Sequence, residues 1–338
     1  HRSSGWRLRT NAMRIGIDLG GTKIEGIALE GEAVVAPRRR VPTPRGNYEG
    51  TLDAVVRLVR DIEADTGRTG TVGIGIPGVA SPSTGLVKNA NSVWLIGKPL
   101  AADLEARLGR PVRLANDANC FALSEAVDGA GRDFDVVFGV ILGTGVGGGI
   151  AVHRTIIDGP NLIAGEWGHN PLPWPTDEEH AEPPPCYCGR AGCIETYLSG
   201  PGFEYDYSKI SGDSRPAPEI AEAAARGDEA AAIAVARYHD RLARGLASVI
   251  NVLDPDVVIL GGGMSNLPGL VSAVTGRLPR YVFSDSVLTT VALNVHGDSS
   301  GVRGAAWLWP ETPEERSDGA TAPRHLARSS TRSGEVIP

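Results

Sequence analysis

Gly16–Leu29 reads GIDLGGTKIEGIAL, and Gly139–Val152 reads GVILGTGVGGGIAV. Aligned without gaps, both carry Gly, Leu, Gly, Gly, Ile and Ala at positions 1, 4, 5, 11, 12 and 13. Each is an apolar run, a glycine turn and a second apolar run, which is the pattern of a β-hairpin. Two ordinary hairpins in a glycine-rich chain are the plainer reading. A duplicated domain is the sharper one, with two glycine hairpins facing each other across a cleft.

Working outward from the first hairpin, Arg14–Leu19, Lys23–Leu29 and Ala33–Arg40 read as strands. Tyr48–Thr66 reads as a helix, because Leu52, Val55, Val56, Val59 and Ile62 recur at helical spacing and Gly67 can end it. Thr71–Ile76 reads as a buried strand, Val112–Ala115 as a strand and Ala118–Val127 as a helix. Around the second hairpin, Val136–Leu142 and Gly148–Val152 pair as strands. Asp228–Leu253 is a long helix, Val257–Leu260 a buried strand running into Gly261-Gly262-Gly263, and Val302–Trp309 a short closing helix. Strands alternating with helices predict an α/β fold.

The composition narrows the function. Of 338 residues, 41% are hydrophobic and 22% charged, as in a globular chain. The net charge is −7. Three Arg in His1–Ala12, and four Arg against five acids from Glu311 onward, leave −9 for Met13–Pro310. So acidic a body argues against binding nucleic acid. No apolar run reaches the roughly 20 residues that span a bilayer, so no membrane partner is expected. His1–Ala12 is basic but has no apolar segment of the kind a secretory signal needs. Met13, just before the first strand, looks like a natural start. The Ser, Thr, Pro and Arg-rich tail from Glu311 reads as disordered. Cys186, Cys188 and Cys193 lie within eight positions, which points to a reduced, cytoplasmic compartment and a metal rather than disulfides. Cys120 reads as a core thiol.

Three motifs carry chemistry. Asp18-Leu19-Gly20-Gly21-Thr22-Lys23 follows a strand, and its glycines let backbone N–H groups approach phosphate oxygens. Near phosphate, Asp18 makes sense only with Mg²⁺ or its water between. Gly143-Thr144-Gly145 and Gly261-Gly262-Gly263 are further glycine turns at strand ends. Together the three fit a nucleotide held between two domains. Asn116-Asp117 joins a strand to a helix. Asp there is a good helix cap, and equally a base able to take a hydroxyl proton in phosphoryl transfer. Glu166-Trp167-Gly168-His169 precedes Cys186-Tyr187-Cys188-Gly189-Arg190-Ala191-Gly192-Cys193-Ile194-Glu195. Three thiolates and an imidazole make a tetrahedral Zn²⁺ set, structural because all four positions are filled.

Taken together, these residues resemble the ROK family of bacterial sugar kinases and sugar-responsive repressors, within the actin–hexokinase superfamily. The resemblance spans Met13–Trp309. It rests on D-x-G-G-T-K at Asp18–Lys23, E-x-G-H at Glu166–His169 and C-x-C-G-x-x-G-C-x-E at Cys186–Glu195. Within the family it is nearest to the bacterial fructokinase, or manno(fructo)kinase, through Val41–Arg45, Val87–Ser92, Asn116–Cys120, Glu166–Trp174 and Gly297–Pro310. The turn Leu142–Gly149 looks more like the N-acetylglucosamine kinase of the family. It should face phosphate, so it weighs little for specificity.

The resemblance implies a duplicated, ribonuclease H-like two-domain fold with a central cleft. It implies a smaller domain of residues 13–118 plus 299–310 and a larger one of 119–298 bearing the zinc loop. Residues 1–12 and 311–338 are then a basic extension and a tail. It implies ATP with Mg²⁺ as phosphoryl donor and the 6-hydroxyl of fructose, or mannose, as acceptor. Asp117 is the expected base. Gly78, Asn91, Asn116, Asp117, Glu166, His169 and Glu195 are the expected sugar contacts. One ring nitrogen of His169 is expected on zinc and the other toward sugar. Asp18, Gly20–Lys23 and Gly143–Gly145 would meet the phosphates, and Gly261–Gly263 the adenosine. A homodimer is implied by resemblance only. The alternatives are an N-acetylglucosamine or glucose kinase of the same mechanism, or a non-enzymatic sugar-responsive regulator. Family repressors carry a helix-turn-helix ahead of the first strand, and only twelve residues precede Met13 here.

Overall fold

The structure, a computed structural model, describes residues 13–310. The expected head and tail lie outside the described residues. In chain order the first half contains β1 (Arg14–Leu19), β2 (Lys23–Glu30), β3 (Ala33–Pro42), α1 (Tyr48–Thr66), β4 (Thr71–Ile76), β5 (Val79–Ala80), β6 (Val87–Lys88), α2 (Leu100–Leu108), β7 (Val112–Asn116) and α3 (Asp117–Val127). The second half contains β8 (Val136–Leu142), β9 (Val146–Val152), β10 (Thr155–Ile156), α4 (Asp177–Ala181), α5 (Glu195–Leu198), α6 (Gly200–Ser211), α7 (Ala217–Ala225), α8 (Glu229–Leu253), β11 (Val257–Gly261), α9 (Leu270–Thr275), β12 (Thr290–Leu293) and α10 (Ser300–Trp307).

Two five-stranded sheets form, in the orders β3-β2-β1-β4-β7 and β10-β9-β8-β11-β12. In each, an antiparallel three-strand meander is extended by two parallel strands. The same order and sense, twice, is the duplicated α/β fold that the repeat suggests. Parallel strands need covered faces, and β4 and β11 are accordingly buried along their whole lengths.

The elements end for local reasons. Asn47 caps α1 by accepting the Gly50 N–H, and Gly67 closes it in the left-handed conformation at φ 65°. Apolar residues of α1 and α2 pack on the first sheet, and those of α6 to α9 on the second. Between the sheets lie α10 and α3. A Cβ on Gly73 of β4 would overlap the Ala305 carbonyl of α10, and one on Gly304 would overlap the Cys120 carbonyl of α3. The layers therefore meet backbone to backbone, and only glycine allows it. Cys120 is buried there, as expected. Among the described residues, no helix is long and apolar enough to cross a membrane.

Candidate functional site

The site is built where α3 begins. Asn116 is the cap of α3 and accepts the Ala118 N–H at 2.9 Å; Asp117 opens the helix and accepts the same N–H at 2.8 Å. Burial pushes the Asp117 carboxyl up to about 6, and the nearby Glu166 charge adds to it, against the pull of that N–H. The helix terminus favours the ionised form, but burial outweighs it here. Asp18, at the end of β1, is pushed further, to about 7. Burial is the main cause, and the charges of Asp117 and Glu25 add to it, opposed by Lys23 and Arg40. Two acids with raised values, Asp18 near the end of β1 and Asp117 just past β7, nominate this place as the candidate site.

The two hairpins flank these acids. In the first, Gly20 and Lys23 close a two-residue turn, with the Gly20 N–H donating to the Lys23 carbonyl at 3.0 Å. Thr43, just past the end of β3, staples it: its N–H donates to the Thr22 carbonyl at 3.0 Å and its hydroxyl to the Gly20 carbonyl at 2.7 Å. Lys23 Nζ lies 3.7 Å from Glu25 and 3.8 Å from Asp298. The second turn, Gly143-Thr144-Gly145, is held from outside. The Val146 N–H donates to Glu195 Oε2 at 2.8 Å, and the Gly200 N–H to the Gly143 carbonyl at 2.8 Å. Gly262, at φ 84°, packs where a Cβ would overlap the Leu142 carbonyl, while Gly263 faces open space.

Of the expected acceptor contacts, Gly78, Asn116, Glu166, His169 and Glu195 connect to the same point. Glu166 feels the charges of His169 and Glu195, and burial raises its carboxyl above the usual range. Gly78 is buried, and its carbonyl accepts from Asn116 Nδ2 at 3.5 Å. Asn91 is exposed and precedes Ser92, whose Oγ would lie 3.5 Å from a Cβ on Gly21. Glu195 thus joins the acceptor side to the second hairpin, a link that spacing alone does not reveal. A cavity of about 650 Å³, lined by Arg113, Leu123, Arg154, Ile156 and Trp307 among others, contains none of the candidate residues.

His169, Cys186, Cys188 and Cys193 offer donor atoms all within 4.8 Å of one another. His169 Nδ1 stands 3.6 Å from Cys186 Sγ, and Cys188 Sγ stands 3.7 Å from Cys193 Sγ. Bonds of about 2.3 Å to a tetrahedral ion put sulfurs about 3.8 Å apart, so the set fits Zn²⁺. The other ring nitrogen, Nε2, meets the Tyr187 hydroxyl at 3.0 Å. Tyr187 also feels the charges of Glu195 and Glu166; burial and those charges push its hydroxyl up to about 12. The sequence reading missed Tyr187, whose only signal is its place between two cysteines.

The proline-rich interval between His169 and Cys186 is pinned by a buried acid. Thr176 and Glu179 form a capping box on α4. Glu179 accepts from Arg241 Nε at 2.7 Å and Arg244 Nη1 at 2.9 Å, both on α8. Burial would raise its carboxyl, but Arg244 and Arg241 hold it down at about 2. The loop that carries the thiols is thereby fastened to the longest helix.

Residues 14–312 match the ROK family. The N-acetyl-D-glucosamine kinase of Escherichia coli O157:H7 is 44% identical over 299 residues, which are 88% of this chain and 99% of that protein. The crystal structure of a ROK hexokinase from Thermus thermophilus superposes with a TM-score of 0.79 at 30% identity, over 91% of this chain and 100% of the other. A ROK family glucokinase from Streptomyces griseus, solved in complex with glucose and AMPPNP, superposes with a TM-score of 0.71 at 29% identity, over 88% and 99%.

Proposed function

Because the chain belongs to the ROK family, we propose that it is an ATP-dependent sugar kinase with N-acetylglucosamine as its preferred acceptor. One observation carries the choice of acceptor: the N-acetyl-D-glucosamine kinase relative aligns over nearly its whole length at 44% identity. The fructose expectation rested on short segments and finds no support among these relatives. The turn Leu142–Gly149, given little weight as phosphate-facing, points the same way as this relative.

In this reading Asp117 accepts the proton of the sugar 6-hydroxyl as its oxygen attacks the γ-phosphorus. The bond to the bridging oxygen breaks, and ADP leaves with the electron pair. A carboxyl raised to about 6 is matched to this task near neutral pH. Gly78, Asn91, Asn116, Glu166, His169 and Glu195 orient the sugar. Gly20–Lys23 and Gly143–Gly145 clasp the phosphates, and Gly261–Gly263 border the adenosine. Asp18, its carboxyl raised beside Asp117 and Glu25, has the chemistry to hold Mg²⁺ or its water. That ion, when bound with ATP, offsets phosphate charge. His169 and the three cysteines would hold Zn²⁺, which when bound would fix the loop that presents Glu166 and Glu195. We read the smaller domain as residues 13–118 with 299–310, and the larger as 119–298.

The test is ADP release with ATP and Mg²⁺ over N-acetylglucosamine, N-acetylmannosamine, glucose, mannose and fructose, ranked by kcat/KM. N-acetylglucosamine is expected to lead. A lead by fructose or mannose would restore the first expectation, and no turnover on any would overturn the kinase. Removing zinc with a strong chelator is expected to lower both Tm and sugar affinity, read by calorimetry.

A further inference from the structure

Lys88 ends the small β5–β6 hairpin of the first domain. Its Nζ reaches across to the second domain and donates to the Asn161 carbonyl at 3.3 Å. Asn161 belongs to the segment that leads from β10 to Glu166. Both sides of this contact are held in an uncommon backbone conformation. Asn89, next to Lys88, has φ 56°, and Leu162, next to Asn161, also has φ 56°. Asparagine enters the left-handed region readily, but leucine does so rarely. Such conformations persist where the surroundings impose them, and they concentrate at ligand clamps.

The contact also connects inward. A Cβ on Gly78 would stand 2.8 Å from the Lys88 carbonyl and 2.9 Å from Ala90 Cβ, so β6 rests directly on Gly78. The Gly78 carbonyl accepts from Asn116, the cap of the helix that begins with Asp117. A continuous path therefore runs from the Lys88 ammonium through Gly78 and Asn116 to the helix that begins with Asp117.

We propose that Lys88 is the clasp of the acceptor cleft. Its ammonium ties the β5–β6 hairpin to the segment before Glu166, holds the two domains together over bound sugar, and sets how fast the sugar leaves. Lys88 is a positioning residue here and takes no part in the chemistry. The inference rests on the sugar-kinase reading. It goes further by assigning retention of the acceptor to a residue outside the expected contacts.

The experiment uses the full chain with Lys88→Met and Lys88→Arg. Methionine keeps the length of the side chain and removes the charge, whereas arginine keeps a donor. Sugar binding to the wild type is first established by titration calorimetry with N-acetylglucosamine, glucose and fructose. Dissociation of the bound sugar is then followed by stopped-flow dilution, beside KM for sugar and for ATP, kcat and Tm. Lys88→Met is expected to raise the sugar off-rate and sugar KM about five- to tenfold. The ATP KM and Tm stay unchanged, and Lys88→Arg stays within about twofold of wild type. An unchanged off-rate and KM in Lys88→Met overturns the clasp and leaves the kinase standing. An equal rise in the ATP KM also overturns it, because the lysine would then serve the phosphates. A wild type that binds none of the sugars overturns both readings.

Discussion

The two glycine hairpins occupy the same place in two sheets of the same order, yet they are built differently. The first carries its own charges, with Asp18 before the turn and Lys23 after it, and is stapled by an uncharged neighbour, Thr43. The second carries no charge and is gripped by a charged one, Glu195. The turns also differ by one residue. Leu19 pairs with Ile24 around a two-residue loop beyond Gly20 and Lys23, whereas Leu142 pairs with Val146 around three. Because side chains alternate along a strand, that one residue sends the same repeat position to opposite faces beyond the turn. A duplicated fold can thus keep its strand order while its two halves divide the work. One hairpin supplies charge; the other supplies bare backbone, aimed by a side chain from elsewhere.

The largest expected effect removes the acid that both hairpins flank. Asp117→Asn should lower kcat by about 10² to 10⁴-fold, with sugar affinity within a few-fold by calorimetry. In the wild type kcat should fall as pH drops through about 6, because the base is then protonated. Activity kept by Asp117→Asn would exclude this residue as the base.

The next pair contrasts the first turn with the glycine stretch after β11 that packs on Leu142, at the base of the second. Gly262→Ala drives a Cβ into the Leu142 carbonyl at a positive φ, and urea unfolding should show a loss of about 1 to 3 kcal/mol. Gly21→Ala meets only Ser92 Oγ at 3.5 Å, so stability should hold while the ATP KM rises. Equal stability losses would mean that Gly21 is packed as closely as Gly262.

Glu195→Ala should free the Val146 N–H and raise the ATP KM about tenfold, whereas Glu195→Gln, which keeps an acceptor oxygen, should recover most of it. A change in sugar KM alone would confine Glu195 to the acceptor side.

The smallest effect lies at the seam between the halves. His296 Nε2 meets Asp128 Oδ1 at 3.0 Å, and this bond raises the imidazole above its usual 6.5 despite partial burial. A raised folded value stabilises the protein fully below about pH 6.5, and that contribution is lost as pH climbs through the folded value. His296→Gln should therefore flatten the fall of Tm between pH 6 and 8, by about 1 to 2 °C. An unchanged slope would assign that pH dependence to other groups.

Much of this was legible. Strong periodicity and clear stops placed α1 from Tyr48 to Thr66, and β1, β4 and β8 to the residue. The gathering of His169 with Cys186, Cys188 and Cys193 was readable because thiol spacing is itself chemistry. What stayed hidden depends on distant partners. Nothing in the polar run Asp177–His180 says that Glu179 will be buried, since its arginines lie more than 60 residues away. The helices α4 to α7 were missed because they are short or poor in apolar periodicity. The ungapped match between the hairpins concealed the one-residue difference, because Gly26 and Gly149 coincide in sequence but not in register.

The position of α10 has a consequence for how the protein is made. The first sheet leaves the ribosome early, yet the helix that covers Gly16 and Gly73 is encoded near residue 300. Until those codons are read, one face of the nascent amino-terminal sheet has no cover, whereas the second sheet and its own helices emerge together. The earlier half should therefore stay open to chaperones or to misassociation until α10 is made and folds back onto it.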